Sequence, residues 1–169
     1  MQRANFLTID GRPAVQFELD LDYSAQRVWE AVTDTQQLQQ WFPSTLTFDP
    51  FVGGVVDFSG DPEIKDLKGI VLKLEAQRAL GFTWGDNELR FSVEMLTLSR
   101  TRFRLSNLLG SRKEAARNAA GWQVCLGQLE VLLSQGHADG PHGDAGAHWQ
   151  QIYEAYVAAG FPHGVQIPE

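Results

Sequence analysis

The single cysteine of the chain, Cys125, is the first residue whose type could do chemistry. A nucleophilic thiol needs a neighbouring base or cation to form its thiolate. All four histidines come later in the chain, at positions 137, 142, 148 and 163, so we expect no imidazole beside this cysteine. Cys125 also falls on one helical face with Trp122 and Leu126, which favours a buried core residue.

A second group of residues has metal-ligating side chains. These residues are His137, Asp139, His142, Asp144 and His148. Their segment is rich in glycine and proline, which gives the side chains no fixed geometry relative to one another. We therefore expect a solvated linker here and no metal site.

Acidic residues crowd one loop that could form the mouth of a cavity: Asp57, Asp61, Glu63 and Asp66. General acid–base catalysis requires carboxylates that converge in a pocket, and the spacing does not fix these four relative to one another. The nearby Gly53-Gly54 pair lacks the pattern of a phosphate-binding loop and is typical of a bend or bulge in a strand. The sequence predicts no catalytic residue and no cofactor.

Aromatic side chains at positions expected to face inward are the strongest functional signal. Any one of them can be core, but several together can line an apolar cavity, which is the usual form of a small-molecule site. Each buried indole also needs a partner for its N–H group. The predicted lining consists of Trp41, Phe42, Phe58, Leu72, Trp84, Phe91, Phe103, Trp122, Cys125, Leu126 and Leu129.

Three arginines, Arg100, Arg102 and Arg104, alternate along one predicted strand, and Arg112, Lys113 and Arg117 follow them in the chain. Such a row could bind an anion, but the residues between them are typical of an inner face, so the arginines should face water. If residues 97–99 form a hairpin loop, Glu94 lies opposite Arg102 and forms a cross-strand ion pair with it.

Hydrophobic periodicity and turn residues predict the elements that position these side chains. Residues 14–22 alternate as a half-buried strand after an Asp10-Gly11 turn, and two short helices follow, capped by Ser24 and by Asp34 or Thr35. Residues 45–106 then form six short strands with one apolar and one wet face. In one of them, the expected inward residues are Ile70, Leu72 and Leu74.

Two helices complete the chain. Ser111-Arg-Lys-Glu114 is a capping box that begins a long apolar helix over 111–135, and Gly121 should let this helix approach the sheet closely. A final amphipathic helix covers about 147–159.

A sheet with one apolar face needs a cover, and the long helix is the one large apolar helix available. The sequence therefore predicts an α+β helix-grip fold, in which a curved antiparallel sheet wraps on the long helix. We expect this domain over residues 1–135, a flexible linker over 136–146, and a C-terminal helix and tail over 147–169.

Composition narrows the classes of partner. The net charge is −7, whereas nucleic-acid binders usually carry clustered basic charge, so nucleic acid is not expected. No stretch is long and apolar enough for a membrane span, and the N-terminus lacks the apolar core of a secretory signal. With one cysteine and therefore no disulfide within the chain, we expect a cytoplasmic protein.

Six ordered segments resemble a known family: Val28-Trp-Glu-Ala-Val-Thr-Asp34, Gln37-Leu-Gln-Gln-Trp-Phe-Pro43, Asp49-Pro-Phe-Val-Gly-Gly54, Gly69-Ile-Val-Leu-Lys-Leu-Glu75, Leu80-Gly-Phe-Thr-Trp84 and Gly121-Trp-Gln-Val-Cys-Leu126. They are similar to the activator-of-heat-shock-protein-90-ATPase homologue family, a branch of the START-like (SRPBCC) superfamily. The resemblance covers about residues 5–135 and implies a helix-grip domain. It also implies binding of apolar ligands, which only some members of the superfamily convert as enzymes.

We expect a non-catalytic protein that binds a small apolar or aromatic molecule in a cavity between the long helix and the sheet. The resemblance leaves open a chaperone-associated or regulatory interaction protein, which requires a contiguous exposed patch. A third alternative is an enzyme of the aromatic-polyketide cyclase or hydrolase type. That alternative requires Asn107, Cys125 or the loop carboxylates to converge inside the cavity.

Overall fold

The computed structural model describes residues 4–59 and 67–166, over which eight strands and four helices form. The strands are β1 (Asn5–Ile9), β2 (Arg12–Leu21), β3 (Thr45–Phe48), β4 (Val55–Ser59), β5 (Lys68–Glu75), β6 (Ala79–Trp84), β7 (Asn87–Thr97) and β8 (Arg100–Leu108). The helices are α1 (Ala25–Thr33), α2 (Thr35–Leu38), α3 (Ala115–Gln135) and α4 (Trp149–Ala158).

All eight strands join one antiparallel sheet in the order β1-β2-β8-β7-β6-β5-β4-β3. The Asp10-Gly11 turn between β1 and β2 has both residues at positive φ, 51° and 76°, as a tight hairpin turn requires. The long helix α3 covers the apolar face of this curved sheet, and α4 packs on α3. The predicted helix-grip fold is confirmed.

The predicted helix ends are confirmed at Ser24, Asp34 and Gly136. Ser24 Oγ accepts a hydrogen bond from the Arg27 backbone N–H at 3.2 Å, and Asp34 Oδ2 accepts one from the Gln37 N–H at 3.2 Å. These bonds satisfy backbone donors that have no partner within the helix. Gly136 ends α3 in the left-handed conformation at φ 79°, which costs glycine no steric strain. The predicted capping box is wrong, because α3 begins only at Ala115, after a 3₁₀ turn that Ser111 caps, and the Glu114 carboxylate bonds to Asn87 instead.

An aromatic cluster fills the centre of the interface between α3 and the sheet. Trp41 and Phe42 lie in the turn after α2 and are fully buried there. The Trp41 ring lies 5.7 Å from Phe91, and the Phe42 ring lies 5.4 Å from Trp122. The Trp41 indole N–H donates to the Ala31 carbonyl at 2.9 Å, so its polar group is satisfied inside the core.

In the first half of strand β5, the side chains predicted to point into the core point to solvent. Ile70 and Leu72 are 51% and 43% exposed, whereas Gly69 and Val71 are buried. The β5–β6 register shifts after Val71, and Leu74 beyond the shift again packs on the core. An extra residue in the strand reverses the alternation. The expectation was therefore right for Leu74 and wrong for Ile70 and Leu72.

The outer face of the sheet carries a ladder of ion pairs. Glu94 lies opposite Arg102 in the β7–β8 register, as predicted. The predicted ion pair between them is wrong in its partners, because Arg102 makes two hydrogen bonds to Asp20 on β2, at 2.8 and 3.1 Å. Glu94 pairs with Arg104 at 3.4 Å instead. The hydrogen bond from Arg102 lowers the pKa of the Asp20 carboxyl, and the ladder is a self-neutralised, solvated surface.

Candidate functional site

A cleft of about 1130 Å³ opens to solvent where the first half of α3 meets the turn between β6 and β7. Residues 141–149, which lead from α3 into α4, contribute a third side. The lining combines tryptophan rings with asparagine, arginine and glutamate side chains. The space thus lies at one end of the helix–sheet interface, beside the aromatic core.

Tryptophan rings form the apolar part of the cleft. Trp122 is 3% exposed, and its ring lies 5.5 Å from Trp84 in an edge-to-face arrangement. Trp84 is half-buried and stacks on Phe58 at 5.9 Å. The prediction that Gly121 lets α3 approach the sheet is wrong. A Cβ at this position would lie 3.8 Å from the Trp149 indole nitrogen, so Gly121 faces Trp149 and not the sheet. Its missing side chain leaves room for the Trp149 ring, the third aromatic group of the lining.

A hydrogen-bonded network supports the polar part of the cleft. Asn107 is fully buried, and its Oδ1 accepts from Trp122 Nε1 at 3.1 Å and from Asn118 Nδ2 at 3.0 Å. Its Nδ2 donates to Asn87 Oδ1 at 2.8 Å, and Asn87 Nδ2 donates to Glu114 Oε2 at 3.1 Å. The network joins β8, the first residue of β7 and α3, so it holds the cleft walls in fixed positions.

Two hydrogen bonds, each between residues far apart in the sequence, hold residues 136–148 against the domain. The Ala138 N–H donates to Gln40 Oε1 at 3.0 Å, and His142 Nε2 donates to the Pro43 carbonyl at 2.8 Å. Both His142 and Pro43 line the cleft, so this contact sets the position of its third side.

The sequence model of the activator of Hsp90 ATPase homolog 1-like family matches residues 22–134, from the end of β2 almost to the end of α3. The chain belongs to this family. The resemblance of the six sequence segments to this family is thereby confirmed. None of the curated proteins matches the sequence.

Solved structures share the fold of this family member at low sequence identity. A protein of unknown function from Enterococcus faecalis is 22% identical, with a TM-score of 0.73 over 92% of this chain and 89% of its own. CalU16 from Micromonospora echinospora is 20% identical, with a TM-score of 0.70 over 93% and 96%. DynU16, a protein of the dynemicin biosynthetic locus, is 23% identical, with a TM-score of 0.59 over 75% of this chain and 50% of its own.

The side chains predicted to line a cavity fall into three places. Three line the cleft: Trp84, Trp122 and Cys125. Seven pack in the hydrophobic core: Trp41, Phe42, Phe58, Phe91, Phe103, Leu126 and Leu129. Leu72 lies on the outer face of the sheet because of the β5 register shift.

Sequence reasoning missed three polar residues of the cleft, Asn87, Glu114 and Asn118. One signal could have found two of them, because Glu114, Asn118 and Trp122 recur every four residues and therefore share a face of the helical segment. Asn87 gives no such signal, since it reaches the cleft from the start of β7, far from α3 in the sequence.

Two of the groups considered for catalysis, Cys125 and Asp57, lie in the described part of the chain. Burial raises the pKa of the Cys125 thiol, so the thiol stays protonated at neutral pH. Asp57 pairs with Lys68 on the exposed surface of β4 and β5. The other three loop carboxylates lie outside the described residues: Asp61, Glu63 and Asp66.

Two features are absent from residues 4–59 and 67–166 of the structure. No three His, Cys, Asp or Glu side chains in these ranges stand close enough together to hold a metal ion. Within the same ranges, no helix has the length and apolar character needed to cross a membrane.

Proposed function

We propose that this chain binds a small apolar or aromatic molecule in the cleft beside α3, without converting it. The observation that carries the proposal is the meeting of three tryptophans, Trp84, Trp122 and Trp149, around an open space that also contains hydrogen-bonding side chains. Apolar walls with a few oriented polar groups are the usual composition of a small-molecule site. The proposed binding space lies at the end of the helix–sheet interface. The sequence predicted it at the centre of this interface, where the aromatic core packs.

The size and chemistry of the cleft suit an aromatic molecule. Its volume of about 1130 Å³ is slightly above the roughly 300–1,000 Å³ of typical ligand sites, which leaves room for bridging water. Trp84 and Trp149 are half-buried, so each keeps apolar ring surface for a ligand to cover. A ring–ring contact adds about 0.5–1.5 kcal/mol to the benefit of burying that surface.

Replacing Trp84 with leucine should weaken binding of an aromatic probe by about tenfold, since the ligand loses a ring contact and part of the buried area. Isothermal titration calorimetry with 2-naphthoate measures the effect. Trp29→Leu is the matched control, because Trp29 is also half-buried but lies on α1, outside the cleft. Equal losses of affinity in both variants, or no binding to the wild type, would count against the proposal.

A second candidate function is docking on a heat-shock-protein-90 homologue, which the name of the family suggests. An exposed apolar group on the outer face favours it. Val55 and Ile70 face each other across β4 and β5, and both are exposed. The Gly53 N–H donates to the Val71 carbonyl at 2.8 Å, which brings the turn with exposed Phe51 beside this pair. Exposed apolar groups of this kind mark protein-interaction surfaces.

Substitution of Ile70 by glutamate should abolish co-purification with the heat-shock-protein-90 homologue of the same organism, because a charge in the contact would be desolvated. Leu98→Glu is the control, since Leu98 is 86% exposed in the distant β7–β8 turn. Affinity capture with the purified wild type, Ile70→Glu and Leu98→Glu proteins measures the effect. Lack of enrichment by the wild type would eliminate this candidate.

A further inference from the structure

Arg117 is a cleft residue with unused hydrogen-bond donors. Its side chain is half-buried on α3, and its Nε donates to Asn118 Oδ1 at 3.0 Å. Across the described ranges, 4–59 and 67–166, no carboxylate forms an ion pair with it, and no protein acceptor bonds to its two terminal nitrogens. The arginines of the outer ladder differ, because Arg100, Arg102 and Arg104 all pair with carboxylates.

An arginine in this state is suited to an anionic oxygen. A guanidinium presents its donors in a planar fork that matches a carboxylate, and it gains most from such a partner where water is partly excluded. The Nε–Asn118 bond fixes the orientation of the fork in the absence of a ligand, so less conformational entropy is lost on binding.

Two other charged groups of the cleft restrict the charge of the ligand. The Glu114 carboxylate accepts a hydrogen bond from Asn87, and Asp86 is exposed at the β6–β7 turn. Both carboxylates repel a ligand with two negative charges, such as a phosphate monoester, more strongly than a ligand whose single negative charge is paired with Arg117.

We propose that the cleft selects aromatic molecules that carry one acidic oxygen group, a carboxylate or a phenolate, and that Arg117 binds this group while the tryptophans contact the ring. The inference rests on the proposed function and specifies its ligand class. It makes Arg117 a specificity-determining residue of the cleft.

A pair of probes with the same ring separates charge from shape. We expect the wild type to bind 2-naphthoate about tenfold more tightly than the uncharged 2-naphthamide, and Arg117→Gln to bind both with equal affinity. Arg78→Gln is the control, because Arg78 is exposed and lies outside the cleft. Calorimetry gives the affinities, and thermal unfolding of each variant verifies that it folds.

The outcomes distinguish the two proposals. Equal affinity of the wild type for both probes, or unchanged naphthoate binding by Arg117→Gln, would overturn the assignment of Arg117 and leave aromatic binding standing. If the wild type bound neither 2-naphthoate nor 2-naphthamide, the proposed function and this inference would both be overturned.

Discussion

Replacing Trp122 with alanine should lower the free energy of unfolding by about 3–5 kcal/mol, the usual cost of deleting a buried tryptophan. The ring is 3% exposed and packs at 5.4 Å from Phe42 and 5.5 Å from Trp84. Its loss also leaves the Oδ1 of buried Asn107 without one of its donors. Such a loss is a large part of the roughly 5–15 kcal/mol that stabilises a domain, so the variant should be barely folded.

Chemical denaturation with unchanged m-values measures this loss. Trp149→Ala is the matched comparison on the opposite side of the cleft, and we expect it to cost about 1–2 kcal/mol because its ring is only half-buried. A loss below about 2 kcal/mol for Trp122→Ala would contradict the packing described for this ring.

Removing the amide of Asn107 should cost about 2–4 kcal/mol of stability. In Asn107→Ala, the indole N–H of Trp122 loses its acceptor, and the Nδ2 of Asn118 keeps only a longer bond to Asn87 Oδ1 at 3.5 Å. The Oδ1 of Asn87 loses its closer donor. Each unsatisfied buried group costs about 1–3 kcal/mol, and water entering from the cleft recovers part of the total.

Denaturation curves also measure this effect, with Asn5→Ala as the control. Asn5 is exposed on the edge strand β1, so its substitution should change stability by less than about 0.5 kcal/mol. Equal stability of the two variants would show that the network around Asn107 contributes nothing to holding α3 on the sheet.

The fold was predictable because each local signal agreed with its neighbours. Capping residues such as Ser24 and Asp34 fixed the helix starts, and the period-2 strands required a covering helix. Strand β5 was the exception, since its register shift reverses the side-chain alternation between Val71 and Lys73. A shift of this kind depends on pairing with β6 and leaves no mark in the periodicity of the strand itself.

The candidate site was only partly predictable, because burial and cavity lining give the same sequence signal. Trp41 and Trp84 are both aromatic residues on the apolar side of the fold, yet Trp41 is core and Trp84 lines the cleft. What separates them is the position of residues 141–149, set by contacts such as that of His142 with Pro43. Contacts across so many residues arise from tertiary packing and cannot be read from local spacing.

The most direct test of the account is to locate a bound aromatic ligand, and the indole N–H signals of the tryptophans report where it binds. In a titration of ¹⁵N-labelled protein with 2-naphthoate, we expect the indole N–H signals of Trp84, Trp122 and Trp149 to shift together, because these three line the cleft. The signals of Trp29 and Trp41 should stay in place, since they lie outside it. Uniform small shifts of all five tryptophans, or a shift of Trp41 without the cleft signals, would contradict binding beside α3.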